Sequence, residues 1–262
     1  MGFFASSGIL NQRGFFSAPV SAAPPAFSPT DISGLKLWLK ADAGVVLSGN
    51  EVTEWQDQSG NNNNATPYTN NPIFNSSDKN TKPTISLTSI GGNERVFTLS
   101  SNPLGANASS AFAVLFGEDV CDVSDDGGAI FGNFGAPSFP VQTHYPYGPD
   151  CSVYDSFATT ARKEAITPPI TITNAWSIYY VHSENNNWES FANNQAMHSD
   201  NSNTYNNQVG GDDSVLYIGK QTGLGSFLFK GKVAELGIYS KILTTQERNS
   251  LHTYLNTKYA IY

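Results

Sequence analysis

The chain is poor in charge. Only 14% of its 262 residues are Asp, Glu, Lys or Arg, and the balance is −8 at neutral pH. Nucleic acid and anionic lipid both require a basic face, and 14 basic residues stand against 22 acidic ones. Neither is therefore expected as a partner. Apolar runs long enough to cross a membrane are also missing, since a spanning helix needs about 20 such residues. The four histidines, His144, His182, His198 and His252, are scattered without metal-ligand spacing. The zinc pattern H-E-x-x-H, the nucleophile elbow G-x-S-x-G and the phosphate loop G-x-x-x-x-G-K-[ST] do not occur. Cysteine is limited to Cys121 and Cys151. They would bridge in an oxidising medium and stay as two thiols in a reducing cytosol.

Asparagine, serine, threonine and glycine supply solubility in place of ions, and aromatics reach 12%. That content suits a β-rich core and a sugar-stacking surface equally. The chain is long enough for one large sandwich with a full core.

Residues 1–29 differ from the remainder. Gly2-Phe3-Phe4 recurs as Gly14-Phe15-Phe16, and a Pro/Ala tract follows through Pro24-Pro25, favouring extended, semi-rigid backbone. Phe3, Phe4, Phe15 and Phe16 would be an aggregation liability in water. They are expected either to fold back on the domain or to anchor it in another subunit. The opening residues lack a basic n-region, and Asn11, Gln12 and Arg13 interrupt their apolar character, so no secretory signal is expected.

From Ser28 onward, alternation marks strands. Leu35–Lys40 is the first, and short strands are expected near Thr84–Leu87 and Val96–Leu99. Buried ones follow at Ala111–Phe116 and Ala129–Phe134, then Ser152–Phe157. Trp176–His182 and Trp188–Ala192 form a pair around an Asn-rich turn, and His198–Asp213 reads as a long exposed loop. From Lys232 to Tyr239, Ala234, Leu236 and Ile238 are expected on one face and Val233, Glu235 and Tyr239 on the other. Thr244-Thr245-Gln246-Glu247 is a capping box, and Leu251, Tyr254, Leu255 and Tyr259 make one helical stripe.

Three segments carry a resemblance to a family. They are I-x-G-L-x-L-W-L-x-A-D at 32–42, W-x-D-x-S-G-N-x-x-x-A-T at 55–66, and G-K-V-A-E-L-G-I-Y-x-K-I-L-T-x-x-E-R from Gly231, ending in Y-L-x-x-K-Y. The chain resembles laminin-G-like (concanavalin-A-like) jelly-roll domains over residues 30–262. That implies an all-β fold: an antiparallel β-sandwich with one C-terminal amphipathic helix, preceded here by an extended N-terminal arm. Asp57, in the second segment, reads as a turn residue whose side chain bonds backbone donors. Family glucanases carry E-x-D-x-x-E on one strand. That spacing is absent, and the resemblance makes Glu235 structural, so the chain is read as a non-enzyme.

The most site-like stretch runs from His144 through Pro146 to Val153-Tyr154-Asp155, and it resembles a motif of relatives. His144, Tyr145, Tyr147 and Asp150, with Trp188, are the candidate ligand-binding residues, because planar side chains beside a carboxylate suit a pyranose. No cofactor is expected. The acidic loop of Glu118, Asp119, Asp122, Asp125 and Asp126 leaves calcium open, but the D-x-[DN]-x-[DN]-G pattern is lacking. The arm and the resemblance together imply a structural protein of a tailed-phage virion. It would be made in the host cytoplasm and displayed on the outer surface in many copies or as a homo-oligomer. Its partners would be other virion proteins through the arm, and surface glycans. A capsid decoration or knob is favoured over a tail fibre, and a carbohydrate-binding module or tail-fibre receptor-binding protein is the alternative.

Overall fold

A computed structural model describes residues 1–2, 27–87, 94–121, 128–134, 143–209, 215–221 and 227–262. Phe3, Phe4, Phe15 and Phe16 of the arm, and Asp122, Asp125 and Asp126 of the acidic loop, lie outside the described residues.

The first strands are β1 (Leu35–Lys40), β2 (Val45–Ser48), β3 (Glu51–Trp55), β4 (Ala65–Pro67), β5 (Ile73–Lys79) and β6 (Lys82–Ser86). Then come β7 (Phe97–Leu99), β8 (Ala108–Gly117), β9 (Phe131–Gly132), β10 (Val153–Asp155), β11 (Lys163–Ile166) and β12 (Ala175–Glu184). The chain closes with β13 (Asn187–Ala192), β14 (Gln195–Asp200), β15 (Tyr217–Ile218), β16 (Lys220–Gln221), β17 (Phe227–Leu228), β18 (Gly231–Tyr239) and the helix α1 (Thr245–Tyr259). Antiparallel pairing runs β14-β13-β12-β8-β18-β6-β5-β3-β4-β7-β15-β9, with β1 on β18, β2 on β3, and β10-β11 and β16-β17 as separate pairs. This is the expected antiparallel β-sandwich.

The path doubles back on itself around one apolar core. Ala111, Ala113 and Leu115 of β8, Tyr179 and Val181 of β12, and Leu236 and Ile238 of β18 meet Trp55, Ile85, Phe97 and Ile218 from the other layer. The opposite face of β8, β12 and β18 is also buried. Phe112, Val114, Ile178, Tyr180 and Tyr239 pack beneath Leu251, Leu255 and Tyr259 of α1. These strands are covered on both sides, which is why β8 reads as a near-continuous apolar run rather than an alternating one.

α1 begins where the sequence places it. Thr244 Oγ1 accepts from the Glu247 N–H at 3.2 Å, and Glu247 Oε2 accepts from the Thr244 N–H at 2.8 Å. Asp57 also serves its turn. Its carboxylate accepts from the N–H groups of Trp38, Ser59 and Asn63 at 2.9, 2.9 and 3.0 Å, pinning the loop to β1. Elsewhere the structure departs from the sequence expectation. β5 spans Ile73–Lys79, where no strand is expected, and β14 continues to Asp200 into the segment read as exposed.

The alternation expected along β18 is broken. Val233 joins Leu236 and Ile238 in the inner core, while Ala234 and Tyr239 face the helix. The register on β8 passes from Val233↔Leu115 to Glu235↔Val114, leaving Ala234 as an extra residue. That is a β-bulge, which shifts the side chains before it relative to those after it.

The bulge sets Glu235 beneath α1 with no solvent exposure. Its carboxylate accepts from Trp38 Nε1 at 2.6 Å, Tyr259 OH at 2.9 Å, Lys258 Nζ at 2.8 Å and Tyr254 OH at 3.2 Å. First strand, last strand and helix thus share one buried anion. Removing it strands these donors, and breaking a buried pair costs about 3–5 kcal/mol. Glu235→Ala should lose that much in urea unfolding, with Glu235→Gln losing less because it keeps an acceptor for Trp38. A loss for Glu235→Ala under about 1 kcal/mol, the level of an exposed pair, would show that the network is dispensable.

Candidate functional site

The stretch from Thr143 to Ile166 is built on a buried carboxylate. Asp155, at the end of β10, accepts from Thr143 Oγ1 at 2.9 Å, from the Phe157 N–H at 2.9 Å and from Tyr179 OH. Burial raises its pKa, and these donors only partly offset the rise. On β11, Lys163 Nζ pairs with Asp200 of β14. Hydrogen bonds from Lys163 and Ser202 hold the Asp200 carboxyl well below its ordinary range. β10 and β11 are thereby tied to the sandwich from both ends.

Between these ties the chain makes a narrow excursion. The N–H of His144 donates to Tyr154 O at 2.8 Å, that of Tyr147 to Ser152 O at 2.8 Å, and that of Cys151 to Tyr147 O at 2.9 Å. Cys151 sits at the turn with φ 57° and is bonded to Cys121 across a Cα–Cα distance of 5.2 Å. The disulfide reading of the two cysteines is the one realised.

The five candidate ligand-binding residues divide. Tyr145 and Trp188 have no exposure, and His144 has 1%. Tyr145 packs edge-on against Tyr179 at 5.3 Å, Trp188 Nε1 donates to Phe157 O at 3.2 Å, and His144 Nε2 lies 2.7 Å from Gln221 Oε1. The expectation that these three present surfaces to a sugar is corrected: they are core. The cause for Trp188 is the pleat of β13, which turns it inward with Ser190 and Ala192, all three without exposure.

Tyr147 and Asp150 remain at the surface, half-buried and exposed respectively. They gather two further side chains. The Tyr147 and Tyr154 rings lie 4.3 Å apart at 40°, and the Arg162 guanidinium sits 4.8 Å over Tyr154. Arg162 also pairs with Glu164 at 2.7 Å. Asp150 accepts from the Ser152 N–H at 3.0 Å, Ser152 Oγ at 2.6 Å and Tyr154 OH at 3.0 Å. Burial pushes its pKa up, but these bonds outweigh that and leave the carboxyl below its ordinary value. For Tyr154 the burial and the Asp150 carboxylate act together to raise the phenol. The result is an aromatic pair edged by a fixed carboxylate and a guanidinium. Such a group can contact a sugar ring and bond its hydroxyls. Sequence reasoning passed over Tyr154; the hydrogen-bonded return of 144 onto 154 is what brings it beside Tyr147. Among the described residues no cluster of three or more His, Cys, Asp or Glu could hold a metal ion.

No family model and no curated protein matches the chain. Solved structures do. Domain 4 of AbnA, a GH43 extracellular arabinanase from Geobacillus stearothermophilus in complex with arabinotriose, superposes with TM-score 0.56 at 16% identity, covering 82% of this chain and 97% of that one. The structure of botulinum neurotoxin type C, whose cell entry depends on two ganglioside molecules, gives 0.53 at 12% identity, with 86% and 52% covered. Trypanosoma rangeli sialidase in complex with sialic acid gives 0.51 at 12%, with 87% and 33% covered. The shared feature is the β-sandwich fold. The chain spans about half of the toxin chain and a third of the sialidase chain.

The disulfide closes a separation of 30 residues, and chain-entropy loss for such a loop is worth about 3–4 kcal/mol. Cys121→Ser with Cys151→Ser should lower unfolding stability by about that amount, read by guanidinium titration. An unchanged midpoint would show that the bond does not hold the Tyr147 turn.

Proposed function

We propose that this protein is a non-enzymatic, lectin-like β-sandwich that binds surface glycans weakly through Tyr147, Asp150, Tyr154 and Arg162. The observation that carries the reading is the half-buried aromatic pair at the surface with Asp150 and Arg162 fixed at its edge. The sandwich fold shared with a domain solved with arabinotriose and with a toxin that uses gangliosides adds support. The absence of catalysis is supported by the state of Glu235, the acid on the long closing strand. It is buried and occupied by four donors, so it has no access to a glycosidic bond.

The setting we propose is a virion, with the jelly roll displayed outside and the Phe-rich arm of residues 1–29 as its attachment. This part rests on the composition of the arm, whose four phenylalanines call for a buried partner.

A glycan array followed by titration tests the binding. Millimolar affinity that falls by about fivefold in Tyr147→Ala, the loss of one stacking contact worth about 1 kcal/mol, is the expected outcome. Absence of binding across the array would leave a purely structural role. For the arm, replacing Phe3, Phe4, Phe15 and Phe16 together with Ser should leave the sandwich folded and abolish co-sedimentation with particles. Undiminished co-sedimentation would sink the anchor, and loss of folding would place the arm in the core of its own domain.

A further inference from the structure

Arg248, in the first turns of α1, makes no ion pair and no side-chain hydrogen bond among the described residues, and its Nε is buried without an acceptor. The guanidinium lies 3.8 Å from the centroid of Phe191 and 5.9 Å from that of Tyr180. Leaving a buried donor unsatisfied costs about 1–3 kcal/mol, more for a charged group. An arginine over an aromatic ring still presents its planar fork of N–H donors, which matches a carboxylate.

The guanidinium opens into a cavity of about 550 Å³ between α1 and the β13–β14 hairpin, lined also by Glu189, Phe191, Ala196, Met197 and Ser199. His198 also lines this space, and three histidines lie around it. His252, one helical turn beyond Arg248, is 2% exposed, and neither ring nitrogen has a partner. His182 Nδ1, below on β12, is equally unpartnered. Glu189, the acid of the cavity, is 39% exposed at its side chain and lies 3.8 Å from His182. The guanidinium over Phe191, the Met197 side chain and the rim carboxylate of Glu189 thus border one space.

We propose that this cavity is a second binding site, taking a hydroxylated small carboxylate of the uronic-acid class. The carboxylate pairs with Arg248, the ring lies against Ala196 and Met197, and a hydroxyl donates to Glu189. The site shares no residue with the Tyr147 patch and stands without it.

The chain has two methionines, Met1 and Met197. Carbon-13 labelling of the methionine methyls therefore gives one reporter in the cavity and one internal control. Galacturonate and galactose are the probes, since they differ in having a carboxylate where the other has a hydroxymethyl group. Saturable movement of the Met197 signal at millimolar galacturonate is expected, with Met1 still and galactose weaker by about tenfold, the worth of one charge-assisted contact. Arg248→Met, which keeps an apolar stem over Phe191, should remove the galacturonate response, and Tyr147→Ala should keep it. An unmoved Met197, an equal response to galactose, or full binding by folded Arg248→Met would overturn the proposal. If that variant fails to fold, the contrast between the two sugars on the unaltered protein decides alone. Loss of the response in Tyr147→Ala would assign it to the patch and overturn the second site.

Discussion

One buried anion holds the two ends of the fold together. Glu235 has no contact with water, so its burial is tolerated only where donors replace the solvent it lost. Those donors come from Trp38, 197 residues earlier in the chain, and from Tyr254, Lys258 and Tyr259 on the closing helix. Lys258 extends the contact outward to Asp42 at 3.0 Å. The helix therefore cannot slide along the sheet or lift from it without exposing several unsatisfied groups at once. The apolar contacts of Leu251, Leu255 and Tyr259 supply area on this face, whereas the carboxylate supplies register.

The parts of the architecture that depend on local chemistry were legible. The capping box at Thr244, the Asp57 turn and the first strand are decided within a few residues, and all three stand where the pattern puts them. The bulge at Ala234 was not. A strand buried on both faces gives no polar-apolar contrast to reveal which side chain changes sides, so strict alternation was the natural reading. β5 escaped for the opposite reason. Asn75, Ser76, Ser77 and Asp78 look like loop, and only pairing with β6 makes them strand.

The candidate site shows the same division. Tyr, Pro, Asp and His in one segment signalled a shaped surface loop, but burial is a property of neighbours rather than of residue type. Tyr145 and Tyr147 are two apart, yet the first fills the core and the second meets solvent. Trp188 follows the inward pleat of its strand. Arg162 and Tyr154 acquire meaning only when the chain returns on itself. The disulfide was open for a similar cause, since a spacing of 30 residues carries no distance.

Both ends of the domain leave from one face. The Tyr239 hydroxyl donates to Pro29 O at 3.0 Å, and Phe27 rests edge-on against Tyr254 of α1 at 6.1 Å. The Tyr147 excursion is instead rooted in the inner core, through Tyr145, Val153 and Phe157. A tether attached at residue 27 or a fusion appended after Tyr262 would leave from the helix side of the sandwich. The sandwich is in this sense built like a plug with its pins together on one side, able to be mounted by either end.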